Sequence, residues 1–131
     1  MITYKGLGVR PFINASGTIT TLGGSLMPPA ALEALGRAAA AYVDLNDLHE
    51  KAGSWLARRI GVEAAFVSAG AASGMQLAAA ACLTGVDEKR VRALPHTEGW
   101  ANELVISSVD SHTYIHQGIE ACGGKLSRAV S

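Results

Sequence analysis

The sequence predicts an α/β domain built on a parallel sheet with crossover helices, and three observations carry that prediction. Short apolar runs at residues 64–67 and 104–106 have the length and bounding turns of strands, and Leu126 to Val130 begins a third. The segments between them, 75–83 and 114–122, are rich in helix formers and long enough for helices. Glycines close these segments, at Gly85 and at Gly123-Gly124. The resulting order, β-α-β-α-β, is that of parallel strands joined by helices.

The stretch before this alternation reads differently. Residues 1–24 show no helical period, and Asn14, Ser16, Gly17 and the pair Gly23-Gly24 mark an extended, turn-rich arm. Such an arm buries little alone and is expected to lie across its own domain or a partner subunit. A helix is expected from Pro28-Pro29 to about Tyr42, because proline is tolerated in a first turn. A second is expected to start near Asp47, where Asp47 and Glu50 have capping-box spacing, and to stop at Gly61. Its apolar stripe would be Leu48, Trp55, Leu56 and Ile60. Residues 86–102 read as a surface connection. The organisation is thus an arm over 1–24, a helical segment over 25–62 and the first part of an α/β domain over 63–131. The chain stops inside its third strand, leaving an open sheet edge, which points to a fragment.

Composition excludes several function classes. Apolar residues make up 49% and charged residues 17%, which argues against disorder. Lys plus Arg and Asp plus Glu are 11 each, so no basic field is available for a nucleic-acid backbone. The longest apolar run is too short to span a bilayer, and the N-terminus lacks the apolar core of a signal peptide. A cytoplasmic protein is expected. Cys82 and Cys122 sit in Ala-rich surroundings without a CxxC or a Cys/His cluster, so they read as buried free thiols, with neither a disulfide nor a metal site.

The loop at 68–74, Ser-Ala-Gly-Ala-Ala-Ser-Gly, joins a predicted strand to a predicted helix. Small side chains let a ligand approach the backbone, and a helix N-terminus offers unpaired N–H groups and partial positive charge suited to a phosphate. Ser68 or Ser73 can add a hydroxyl. Neither the P-loop nor the GxGxxG pattern is present. Tight helix-on-sheet packing also calls for Gly and Ala, so the local pattern leaves both readings open. His112, Tyr114 and His116 follow the next strand, and ligands of open α/β sheets bind beyond the carboxyl ends of strands. His112 reads equally as a ring that stacks on a flat heterocycle and as a capping residue. His116 reads as a surface or capping histidine. Asn14, Ser16 and Thr18 read as turn residues, and Asp110 as a helix cap. No catalytic triad can be argued from Asp110, Ser111 and His112.

Taken in order, these residues form a pattern. The opening Gly8-Val9-Arg10-Pro11-Phe12-Ile13-Asn14-Ala15-Ser16-Gly17-Thr18 resembles that of the selenocysteine-synthase-like pyridoxal-phosphate (PLP) proteins, the group of L-seryl-tRNA(Sec) selenium transferase and its ammonia-lyase relatives. So do Val43-Asp44-Leu45, Leu48-His49-Glu50, Gly61-Val62-Glu63-Ala64-Ala65, the loop at 68–74, Leu94-Pro95-His96-Thr97 and Asn102-Glu103-Leu104-Val105-Ile106. The resemblance runs through nearly the whole chain. It implies the aspartate-aminotransferase-like fold (fold type I), a homo-oligomer, and PLP as cofactor. It implies that Gly70, Ala71, Ala72 and Ser73 hold the cofactor phosphate and that a residue at or beside His112 stacks on the pyridine ring.

The same resemblance places the family's Schiff-base lysine, and the acid that pairs with the pyridine nitrogen, beyond residue 131. Lys5, Lys51, Lys89 and Lys125 do not match that lysine. PLP chemistry needs an amine partner, so the chain is expected to be the N-terminal portion of a PLP-dependent lyase or transferase acting on an amino-acid or amino-sugar substrate. It is expected to bind PLP weakly and to be inactive alone, with no catalytic residue of its own. Selenium transfer to a charged tRNA is disfavoured by the neutral charge. Two other readings stand beside this one: a non-catalytic packing or assembly fragment, and a small α/β domain binding another phosphorylated ligand at 68–74.

Overall fold

The computed structural model describes residues 2–109 and 111–129. The chain divides into two compact units, Met1–Asp44 and Leu45–Ser131.

In the first unit local hydrogen bonds do most of the shaping. Val9 N–H donates to the Tyr4 carbonyl at 2.8 Å, closing an initial turn. Asn14 makes an Asx-type turn: its Oδ1 accepts from Ser16 N–H at 2.9 Å, and its Nδ2 donates to the Gly17 carbonyl at 2.7 Å. A short 3-10 turn spans Thr20–Leu22 and ends on Gly23 at φ 92°. Helix α1 covers Pro29–Ala38, with proline in its first turn. It is shorter than the sequence predicts. Ala40 and Ala41 N–H groups reach back three residues, to Arg37 and Ala38, so the last turn tightens and stops before Tyr42. No residue of α1 is buried, and Leu32 and Leu35 stay exposed. Turn chemistry, not a core, organises this unit.

The second unit begins with α2, Leu45–Ile60. It starts two residues before the expected cap. Asp47 therefore lies inside the first turn, where its carboxylate pairs with Lys51 Nζ at 2.7 Å. The buried face also differs from the expected stripe. Gly53 and Ala57 are buried, while Leu48, Trp55 and Ile60 are exposed. The helix is held by close approach of small residues: a Cβ at Gly53 would overlap the Ala65 carbonyl oxygen. One turn earlier, His49 stacks on Phe66 with ring centroids 4.9 Å apart. Arg59 covers Trp55 from 5.3 Å. Gly61, at φ 73°, ends the helix as expected.

The strand expected at 64–67 does not form among the described residues. The segment takes no regular secondary structure and has no ladder partner. A strand is defined by its neighbour's hydrogen bonds, and this segment instead lies along α2 through Ala65 and Phe66. Helix α3 follows, Ala71–Thr84, and ends on Gly85. The connection expected at 86–102 holds a further helix, α4, Glu88–Ala93. Asp87 caps it, its carboxylate accepting from Lys89 N–H at 2.8 Å and Arg90 N–H at 3.4 Å. The signal was present in the order Asp87-Glu88 … Arg90 … Arg92, acid at the helix start and base at its end. Asp87→Ala is expected to lower stability by about 1 kcal/mol, read as a shift of the urea midpoint.

Strand β1, Glu103–Ser107, helix α5, Thr113–Ala121, and strand β2, Lys125–Ala129, complete the unit. The strands pair in parallel, Glu103 opposite Lys125 through Ser107 opposite Ala129. A parallel pair needs a crossover of this kind because a hairpin cannot reverse the chain twice. The core is Ala79 and Leu83 from α3 with Ile119 and Cys122 from α5 and its end. Ala80, Leu94, Leu104, Ile115 and Leu126 pack around it. Cys122 is a buried free thiol as expected; Cys82 is free but exposed, contrary to the expected burial. Among the described residues no helix is long and apolar enough to cross a membrane.

A buried polar pair locks the turn between α5 and β2. Thr97 Oγ1 donates to the Gly123 carbonyl at 2.6 Å, and Asn102 Nδ2 donates to Thr97 Oγ1 at 2.8 Å. Both residues are buried. Lys125 N–H then donates to the Asn102 carbonyl at 2.7 Å, carrying the register into the sheet. Thr97→Val keeps the shape but removes the hydroxyl, leaving the Gly123 carbonyl and the Asn102 amide short of a partner. The expected loss is about 1–3 kcal/mol, measured by equilibrium denaturation.

Candidate functional site

The loop at 68–74 ends in the first turn of a helix, where backbone amides lack helical acceptors. Gly70 precedes α3 and accepts its first helical hydrogen bond, from Gly74 N–H at 2.9 Å. The amides of Ala71, Ala72 and Ser73 precede that bond, so helix geometry gives them no partner. Among the described residues no side chain caps them from the Gly70 position. Ser68 Oγ and Ser73 Oγ both donate to the Gly70 carbonyl, at 3.0 and 2.9 Å. Three donors converge on this one oxygen, which fixes the peptide that opens the helix. Both serine hydroxyls, one or other of which was expected to add a donor for a ligand, are thus engaged in holding the loop.

Space is open at this point. Nothing lies within 4 Å of where a Cβ would sit on Gly70, and Gly70, Ala71 and Ala72 are exposed. At Gly74 the opposite holds, because Ser68 Oγ would be 3.0 Å from an added Cβ. One glycine gives access and the other gives close packing. The tight contact at Gly74 is with the loop's own Ser68 side chain, not with a sheet.

His112 sits immediately before α5, exposed, with its ring edge-on to Tyr114 at 5.6 Å and 73°. It precedes the helix in the position the sequence allowed for a capping residue, but its side chain does not cap. His116 is half-buried on α5. Asp110 lies outside the described residues. Asn14 and Ser16 are engaged in their own turn.

The loop and His112 are connected through packing of α3 on α5. Gly118, which the sequence pattern does not single out, lies at this contact, where even an added Cβ would meet only ordinary van der Waals distances. A Cβ there would lie 3.6 Å from Gln76 Cβ and 3.7 Å from the Ala72 carbonyl oxygen. Gly118 meets the first half of α3, while Ile119 and Cys122 cluster with Ala79 and Leu83 in its second half. The helices thus run in the same sense, and their N-termini, carrying Ala71 and His112, lie toward one end. A helix start of this kind carries N–H donors suited to an anion, and His112 precedes the other helix at the same end.

No protein-family model matches the chain. Over 126 residues it is 36% identical to D-glucosaminate-6-phosphate ammonia lyase of Salmonella typhimurium, covering 94% of this chain and 34% of the lyase. It is 40% identical over 111 residues to 5'-C-glycyluridine monooxygenase-decarboxylase of a Streptomyces species, covering 85% of this chain and 28% of that protein. A solved structure of D-glucosaminate-6-phosphate ammonia-lyase superposes with a TM-score of 0.91 at 34% identity, covering 98% of this chain and 36% of the other. The chain therefore spans about a third of the length of the lyase. Agreement in both sequence and backbone over nearly all of its residues makes this α/β chain a homologue of D-glucosaminate-6-phosphate ammonia lyase over that third.

Proposed function

We propose that this chain forms the cofactor-phosphate end of a PLP-dependent lyase or transferase of the selenocysteine-synthase-like group, with the aspartate-aminotransferase-like fold. Its substrate is an amino-acid or amino-sugar compound. The observation that carries this reading is the start of α3, where Gly70 leaves open space and the amides of Ala71, Ala72 and Ser73 have no helical partner and, among the described residues, no side-chain cap from the Gly70 position. An ester phosphate suits such a site because its charge meets both the donors and the positive end of the helix dipole. PLP, when bound, supplies the electron sink for chemistry beside an amino group. Gly70 admits the phosphate, the three amides bind it, Ser68 and Ser73 keep the loop in shape, and His112 offers a ring to the pyridine face. The names of both relatives describe compounds with amino and carboxyl functions, glucosaminate and a glycyl group, which supports the substrate class. In this reading the chain contributes binding groups and no Schiff-base lysine, so it is not expected to turn over alone. The active species is a homo-oligomer in the cytoplasm.

The test separates the phosphate from the ring. In thermal melts of the chain, millimolar PLP is expected to raise the melting temperature, and pyridoxal, which lacks the phosphate, is expected not to. Ala71→Asp places a carboxylate at the first helical residue, where it favours the helix but repels an anion. It is expected to keep the fold and weaken PLP about tenfold or more, roughly 1.4 kcal/mol. Equal shifts with PLP and pyridoxal, or an unchanged PLP shift in Ala71→Asp, would remove the phosphate site. A shift by inorganic phosphate or a sugar phosphate that PLP cannot match would favour a different phosphorylated ligand.

A further inference from the structure

We draw no further inference here: the strongest candidate, the bare outer face of the two-stranded sheet around Val105, carries nothing because nothing in the structure shows what covers it.

Discussion

Gly123→Ala is expected to be the most damaging single-methyl change in the chain, with a loss of about 3 kcal/mol or more. Two penalties act together. Gly123 has φ 90°, a conformation that costs an L-residue about 1–2 kcal/mol. The new Cβ would also overlap the Pro95 carbonyl oxygen and come within 2.7 Å of Thr97 Cγ2. Relief requires moving backbone, because Pro95 is a main-chain contact and Thr97 is tied to Gly123 by its own hydrogen bond. Displacing that bond also loosens Asn102, which sets the register of β1 against β2. Gly99→Ala isolates the first penalty: Gly99 has φ 80°, but nothing lies within 4 Å of its Cβ position. It is expected to lose only about 1 kcal/mol. Denaturant unfolding of both variants, followed by far-ultraviolet circular dichroism, makes the comparison. Equal losses would show that the contact with residues 95–97 contributes nothing.

The second large effect is at Gly53, where propensity and packing have opposite signs. Alanine in a helix interior is favoured over glycine by about 0.8–1 kcal/mol. At Gly53 the same methyl would overlap the Ala65 carbonyl oxygen, again backbone. Packing is expected to win, with a net loss of about 2 kcal/mol, and α2 should separate from residues 64–67. The stack of His49 on Phe66 belongs to the same contact and should be lost with it. Gly36→Ala in α1 is the matched control, since nothing lies within 4 Å there. It should stabilise its helix by up to about 1 kcal/mol. Stabilisation by both substitutions would mean that α2 does not rest on the 64–67 segment.

These two glycines also show where pattern reading lost information. The amphipathic stripe of α2 was sought among its large side chains, yet the helix turns Gly53 and Ala57 inward and leaves Trp55 and Ile60 in solvent. Hydrophobicity ranks residues by what burial gains, whereas a backbone-to-backbone approach is set by what a side chain would obstruct. The strand expected at 64–67 failed for a related reason. Its composition fits an extended chain, but pairing is a property of two segments, and no described strand pairs with it. Helix α4 was overlooked because six residues carry too little period to register, although its cap and charge order were in place.

The candidate site was more legible. The small-residue loop and its place before a helix followed from residues 68–74 and their neighbours, and the family likeness from segments spread through nearly the whole chain. The direction of the two serine hydroxyls did not, because a serine near a helix start can turn toward a ligand or toward its own backbone. Ser68 and Ser73 both turn to the Gly70 carbonyl.

By itself the sequence determined four of the five helices, the glycine stops and the loop of small residues, since each depends on neighbours a few positions away. Tertiary structure alone decided which glycines are contacts, which apolar faces are covered, and that His112 and Ala71 begin two helices joined at Gly118. Local preference is summed along the chain. Close approach is decided between segments far apart in it, where one methyl group is enough to reverse the sign.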